Sequence, residues 1–283
     1  MFRDRVSKSW FALTVLVGPA ALGDTATIPS SKDNTLFEHP EGLDSNGAGP
    51  HFYIGKTGIA GGNRIRRGLL AFDIAGNVPA GSTVTSVTLG LTLANRAFQG
   101  NQTVSLHRVL ASWGEGTSDS GDPGGAGVNA TTGDATWIHR FFNTVPWTNA
   151  GGDFSAATSS SRIVSANGPY TWGTTAQMVA DVQGWLDDPN GNFGWVIRGN
   201  EVTNSTALRF GSKENPGAGT RPVLTVQYTP PPPPPVPALA FPGLAMLVIA
   251  VAASAAVVFR KPACQACATR EHGLRPLHPP SFQ

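Results

Sequence analysis

The stretch 113–154 concentrates side chains suited to sugar recognition. It holds three of the seven Trp in the chain and four Asp, set among Gly and small polar residues. An indole offers a flat apolar face to a pyranose ring, while neighbouring polar groups can fix the hydroxyls. Trp113, Trp137 and Trp147 lie in this stretch and Trp172 follows it, all in or beside loop-rich sequence that could present an aromatic ring. The competing role is core packing, because Trp is highly buried on average.

A second set is basic. Arg64 and Arg66 stand two apart on a predicted strand and so share a face. Together with Lys56 they could meet the carboxylates of a uronic-acid polymer, which a guanidinium binds in bidentate fashion. The alternative is an exposed strand face paired with Asp or Glu across the sheet. A third set is acidic. Asp119, Asp122 and Asp134 sit among backbone carbonyls, the oxygen-rich setting that calcium prefers, so a structural Ca2+ is the one cofactor left open. The EF-hand pattern is absent, since Ala130 occupies the twelfth position counted from Asp119.

Catalytic signatures are missing: there is no G-x-S-x-G, no H-E-x-x-H, no Walker loop and no dinucleotide fingerprint. Glu115 with Asp134 or Asp153 would serve a glycosidase only at the right separation. His139 with Arg140 would be a lyase pair. Any soluble domain carries side chains of these kinds, so no residue is assigned a catalytic role.

The elements that must position these residues are strands. Abundant Gly, scarce Lys and recurrent turn signals suit an all-β domain. Residues 87–93 alternate apolar and small polar side chains, and 68–74 (GLLAFDI) reads as a more buried strand. Further strands are expected at 104–109, 137–142, 193–198, 207–210 and 223–228. One amphipathic helix interrupts them at 174–186. Its Met178, Val179, Val182, Trp185 and Leu186 form one stripe, Thr174 or Thr175 caps its start, and Trp185 belongs to the core. The expected architecture is a jelly-roll-like or related β-sandwich, and an immunoglobulin-type sandwich fits the pattern equally.

The chain ends carry different signals. Arg3, Arg5 and Lys8 precede an apolar run, and Ala21 and Gly23 supply small residues at its exit, the layout of a signal peptide over 1–23. The domain would then span 24–229, followed by a proline-rich spacer at 230–238 that reads as stiff polyproline II. Residues 239–259 are charge-free and apolar, long enough for a transmembrane helix. Arg260 and Lys261 follow at once, placing the tail 260–283 on the cytoplasmic side. Cys264 and Cys267 are the only cysteines and lie in that tail, so the exported domain has no disulfide.

The formal charge of +2 misleads, because seven Lys or Arg and only two acidic residues lie in 1–23 and 260–283. The part between has 13 basic and 16 acidic residues, the opposite of a nucleic-acid binder.

Val236-Pro237-Ala238-Leu239, the apolar segment and the basic pair resemble the C-terminal sorting tags of Gram-negative surface proteins. A sorting protease is what that resemblance implies as a partner, although 22 residues follow Lys261 where such tags normally stop. Over 33–229 an ordered series of motifs runs through the chain. It comprises Asn63-Arg64-Ile65-Arg66-Arg67-Gly68-Leu69-Leu70, Val78-Pro79-Ala80-Gly81, Ser112-Trp113-Gly114-Glu115-Gly116 and Gly133-Asp134-Ala135-Thr136-Trp137. Pro146-Trp147-Thr148, Gly151-Gly152-Asp153-Phe154, Val182-Gln183-Gly184-Trp185-Leu186, Asn192-Phe193-Gly194-Trp195 and Arg221-Pro222-Val223-Leu224 continue it.

This series is similar to DNRLRE-domain proteins, a group related to the disaggregatase repeat and to polysaccharide-binding modules. Gly62 and Arg67 stand where that family's name-giving motif has acidic residues. The resemblance implies a secreted β-sandwich at the cell surface and, for part of the group, binding to acidic polysaccharide; it brings no catalytic set. The expected protein is thus an exported, membrane-anchored, non-catalytic module directed at polysaccharide or extracellular matrix. A matrix-degrading lyase or glycosidase, and a structural or adhesive surface protein, are the alternatives. Because 133–142 and 146–154 belong to the family pattern, the Asp- and Gly-rich run 115–132 is the part left for individual function.

Overall fold

In the computed structural model, residues 23–98 and 100–234 are described. The predicted leader, the span 239–259 and the tail with Cys264 and Cys267 lie outside the described residues. Fourteen strands and one α-helix follow in order: β1 (Asp24–Phe37), β2 (Asp44–Ser45), β3 (His51–Lys56), β4 (Ile65–Phe72), β5 (Thr83–Arg96), β6 (Gln102–Val109), β7 (Val128–Asn129), β8 (His139–Phe141), β9 (Val145–Pro146), β10 (Phe154–Val164), β11 (Gly168–Trp172), α1 (Ala176–Asp187), β12 (Trp195–Arg198), β13 (Leu208–Gly211) and β14 (Val223–Thr229). Among the described residues no helix is long and apolar enough to cross a membrane.

The principal sheet has the strand order β1-β14-β5-β13-β3-β4-β12-β6-β10, with β11 paired to β5. All its pairings are antiparallel. The long strand β1 pairs with β14 over Asp24–Pro29 and with β4 over Ser30–Phe37, shifting register between Ser30 and Lys32. One strand therefore serves two parts of the sheet, and the sheet folds across a core. Among the described residues the fold is all-β with a single α-helix, as the alternation at 87–93 predicts.

That core takes Leu70 and Phe72 from β4, Val87, Leu89, Leu91 and Leu93 from β5, Leu224 and Val226 from β14, and Trp172 and Trp195. Helix α1 closes one end of it with Met178, Val182, Trp185 and Leu186. Thr175 caps the helix by accepting from the Met178 N–H at 3.0 Å. Trp185 meets Trp195 edge-on at 4.6 Å. Between α1 and the sheet, the buried Asp181 accepts from the Trp195 indole at 2.9 Å and from the Ser159 hydroxyl at 2.5 Å. The Thr175 hydroxyl donates to the Ser159 carbonyl, which engages the outer edge of β10.

Strand β4 is buried on both sides. Leu69 and Ala71 alternate with Leu70 and Phe72, and so face away from the first core. They join Leu36, Val109, Val196, Trp113, Trp137 and Trp147 in a second apolar cluster. The excursion 113–153 is thus a layer laid over the outer face of β1, β4 and β12, and 69–72 is apolar throughout because it serves two cores. Trp113 is buried, donates its indole N–H to the Phe193 carbonyl at 2.8 Å and carries the Lys32 ammonium 4.2 Å from its ring centre. Trp147 donates to the Thr136 carbonyl at 3.0 Å.

Truncating one of these indoles removes a large apolar group and its hydrogen bond together. Trp147→Ala is expected to destabilise the domain by about 3–5 kcal/mol, read as a lowered urea midpoint with an unchanged slope. A change below about 0.5 kcal/mol, the range of ordinary surface substitutions, would mean the indole is not a core residue.

Candidate functional site

Burial decides which predicted site residues can meet a ligand. Trp113, Trp147 and Trp172 are 2 %, 5 % and 0 % exposed, and Trp137 is 9 % exposed. The expectation that loop sequence presents these rings is corrected for the first three. A ring packed in a core with its N–H spent on a backbone carbonyl has no face left for a sugar; for Trp172 that acceptor is Val104. Trp137 alone of the four reaches a cleft, and the Arg67 guanidinium already sits 4.9 Å from its ring centre.

The acidic residues do not converge. Asp134 is fully buried and accepts from the Thr117 N–H at 3.0 Å, the Thr131 N–H at 2.5 Å and the Ser118 hydroxyl, pinning its own loop. Asp119 caps a turn by accepting from the Gly121 N–H, while Asp122 faces Arg209 at 3.2 Å and His51 at 3.4 Å. Among the described residues no group of three or more His, Cys, Asp or Glu is placed to hold a metal ion.

The candidate acid–base partners are also separately engaged. Glu115 accepts from the Asp33 N–H at 2.8 Å and pairs with Lys213 at 3.0 Å, and Asp153 accepts from the Thr148 and Asn149 N–H groups. Arg140 bonds Ser112, and His139 lies edge-on to Phe142.

The basic residues are brought together in part. They come from the connection between β3 and β4, a tight turn that Thr57 organises. The Thr57 N–H donates to the Arg64 carbonyl at 2.9 Å, and the Thr57 hydroxyl accepts from the Arg64 N–H at 2.8 Å. Gly62 turns the chain at φ 74°, a left-handed conformation that favours glycine. Arg64 and Arg66 then line one cleft of about 520 Å³ with Asp44, Gly61, Gly125 and Ala126. Arg64 and Gly62 also line an adjoining cleft of about 380 Å³, whose other walls include Glu38, His39, Trp137 and Ile138.

Lys56 does not join them. It pairs with Ile65 across β3 and β4, and directly opposed residues share a face, whereas Ile65 and Arg66 alternate along β4.

Arg66 has the environment of a receptor. It is 5 % exposed, its guanidinium lies 4.7 Å from the Phe37 ring centre, and its Nη1 donates to the Ile65 carbonyl at 3.1 Å. Its Nε has no partner. Burial pushes the guanidinium down to about 10, with Asp44 and Glu38 opposing and Arg64 reinforcing the shift. It therefore stays charged at neutral pH. Glu38 is held by the Ile65 N–H, which donates to it at 2.5 Å.

The run 115–132 supplies wall rather than ligands. Pairing of Asp44 with Asn129 and of Ser45 with Val128 brings Gly125 and Ala126 over Arg66. Sequence reasoning missed Glu38, Asp44 and Gly125, because no local pattern reports that a loop more than 80 residues after Asp44 will lie beside it.

Beside the cleft, Arg67 meets Glu201 through both nitrogens, at 2.8 and 2.9 Å, and Arg198 meets the same carboxylate at 3.0 and 2.6 Å. Arg67 also donates to the Gly151 carbonyl, tying the outer layer to the sheet.

The chain matches no family model, and no curated protein sequence matches it either.

Burial alone would raise Glu201, but the hydrogen bonds and charges of Arg67 and Arg198 outweigh it and hold the carboxyl at about 2, against 4.5 for an ordinary Glu. A depressed folded-state value contributes stability above the unfolded value, and that contribution is lost as pH falls towards the folded one. The domain is expected to lose stability between about pH 4.5 and 2. Glu201→Gln should flatten this window and lower stability at pH 7 by about 1.5–3 kcal/mol through the poorly paired arginines. Denaturant melts of both proteins across that range check it, and an unchanged pH profile in the variant would contradict it.

Proposed function

We propose that residues 24–229 form a non-catalytic, exported surface module that binds polysaccharide, with acidic glycans preferred, at the Arg64–Arg66 clefts. The observation that carries this reading is Arg66: a largely buried guanidinium, with an unpartnered Nε, on a residue that lines an open cleft beside Arg64. A desolvated guanidinium with an unmet donor favours a carboxylate, which it can bind through charge-assisted hydrogen bonds. The resemblance to DNRLRE domains supports the same ligand class and a jelly-roll-like sandwich. The leader-like start and the apolar segment 239–259 support export and anchoring at the cell envelope, with a sorting protease as a further partner. Recognition then rests on charge and hydroxyl contacts, with Trp137 as the one indole at the cleft wall.

Affinity electrophoresis of the full-length protein in nonionic detergent tests this. Retardation is expected in gels containing alginate and not in gels containing a neutral glucan, with no product formed. Arg66→Gln should weaken retention about tenfold or more, the worth of one charge-assisted hydrogen bond to a desolvated group, while the circular dichroism spectrum is kept. Release of unsaturated uronate or new reducing ends would favour a lyase or glycosidase. Absence of retention on a broad glycan panel would leave a structural or adhesive role.

A further inference from the structure

The two clefts at Arg64 continue into a third. Gly125, which lies over Arg66, also lines a cleft of about 250 Å³ with Tyr53, Pro123, Leu208 and Arg209. The three spaces share lining residues in sequence, Gly62 and Arg64 between the first two and Gly125 between the second and third. Each cleft therefore neighbours the next, with the Arg66 cleft between the other two.

The far cell has its own cation. Arg209 pairs with Tyr53 across β13 and β3, and Arg66 pairs with Gly55 across β3 and β4. Two strand spacings sideways and two residues along β3 put the backbones of Arg66 and Arg209 on the order of 10 Å apart. Arg209 also has a buried Nε with no partner, and its Nη1 meets the Asp122 carboxylate at 3.2 Å. The Asp122 side chain is 70 % exposed, and it also lies 3.4 Å from the His51 imidazole, whose burial favours the neutral form. An exposed carboxylate thus occupies the place on Arg209 that a ligand carboxylate would take. The Tyr53 hydroxyl bonds the Pro123 carbonyl, holding the loop that carries Asp122 against the sheet.

We infer that the row is one linear site for an unbranched anionic glycan, in which Arg66 and Arg209 receive two carboxylates of the same chain and Asp122 is a built-in competitor for the second. This rests on the polysaccharide reading above and adds polymer length and charge spacing to it. A site for a single sugar acid would need only Arg66 and its cleft. A second guanidinium, with one donor unmet and the other held by an exposed carboxylate, at the far end of the row matches a ligand whose charges repeat. Asp122, by opposing the ligand's own charge, tunes affinity without touching Arg66.

Calorimetric titration of the full-length protein with oligouronates of graded length tests this. A disaccharide should bind weakly, and affinity should rise through the tetrasaccharide to the hexasaccharide as the row fills. Arg209→Gln should abolish the gain with length, so that the hexasaccharide binds about as weakly as the disaccharide. Asp122→Asn removes the competing charge and keeps the side-chain shape, so it should tighten hexasaccharide binding roughly fivefold and leave the disaccharide unaffected.

Equal affinity for all lengths, or an Asp122→Asn protein that binds the hexasaccharide no better than wild type, overturns the linear site. If such a result comes with Arg66-dependent disaccharide binding, the polysaccharide reading stands without it. If wild type binds no anionic oligomer at all, both fail together. Because Asp122→Asn predicts a gain, misfolding cannot imitate support.

Discussion

Burial of strand β4 on both faces is the constraint on which the rest of this structure depends. Leu70 and Phe72 fill one core and Leu69 and Ala71 the other, so the strand must be covered twice. The folded sheet covers the first face. The second would stand exposed to water unless a further layer lay over it, and the excursion 113–153 is that layer. Its three indoles are therefore spent on the scaffold, with their N–H groups bonded or their rings engaged by Lys32 and Arg67. Without disulfides in this domain, the second core and the Arg67–Glu201–Arg198 cluster are what hold the layer down.

The same strand also explains where a site can form. Towards its start the apolar pairs give way to arginines on both faces. Arg67 is consumed by Glu201 and the Gly151 carbonyl, so its charge is answered inside the fold. Arg66, one residue earlier and on the opposite face, stacks on Phe37 but keeps an unmet donor. Two adjacent arginines thus have opposite fates: one is a structural clasp, the other keeps a donor without a partner. Small residues at Gly125 and Ala126 let the covering loop approach without closing the cleft.

Much of the scaffold was legible in the amino-acid order. Alternation at 87–93 marks β5, the apolar run 69–72 marks the doubly buried β4, and the stripe from Met178 to Leu186 marks α1. Strands β1, β3 and β10 escaped because their signals are mixed. β1 changes partners at Ser30 and carries Pro29, and β10 is rich in Ser and Ala and lies at the end of the sheet. For the site, the two-residue spacing suggests that Arg64 and Arg66 share a strand face; Arg64 lies just before β4, and both line one cleft. Loop-rich context misjudged the Trp residues, since local sequence cannot show that a loop will be folded down onto a sheet. Arg209, Asp122 and Gly125 meet only through tertiary contacts between segments more than 80 residues apart, so no local pattern could join them.

The proposed recognition runs through guanidinium rather than indole groups. Nitrogen-15 spectra of the full-length protein resolve arginine Nε–H and tryptophan indole N–H signals, and titration with an oligouronate reports on both at once. The account predicts that the Arg66 Nε–H signal moves most, with Arg64 following, while the buried indoles of Trp113, Trp147 and Trp172 stay still. Shifts led by those indoles, with Arg66 unmoved, would contradict it.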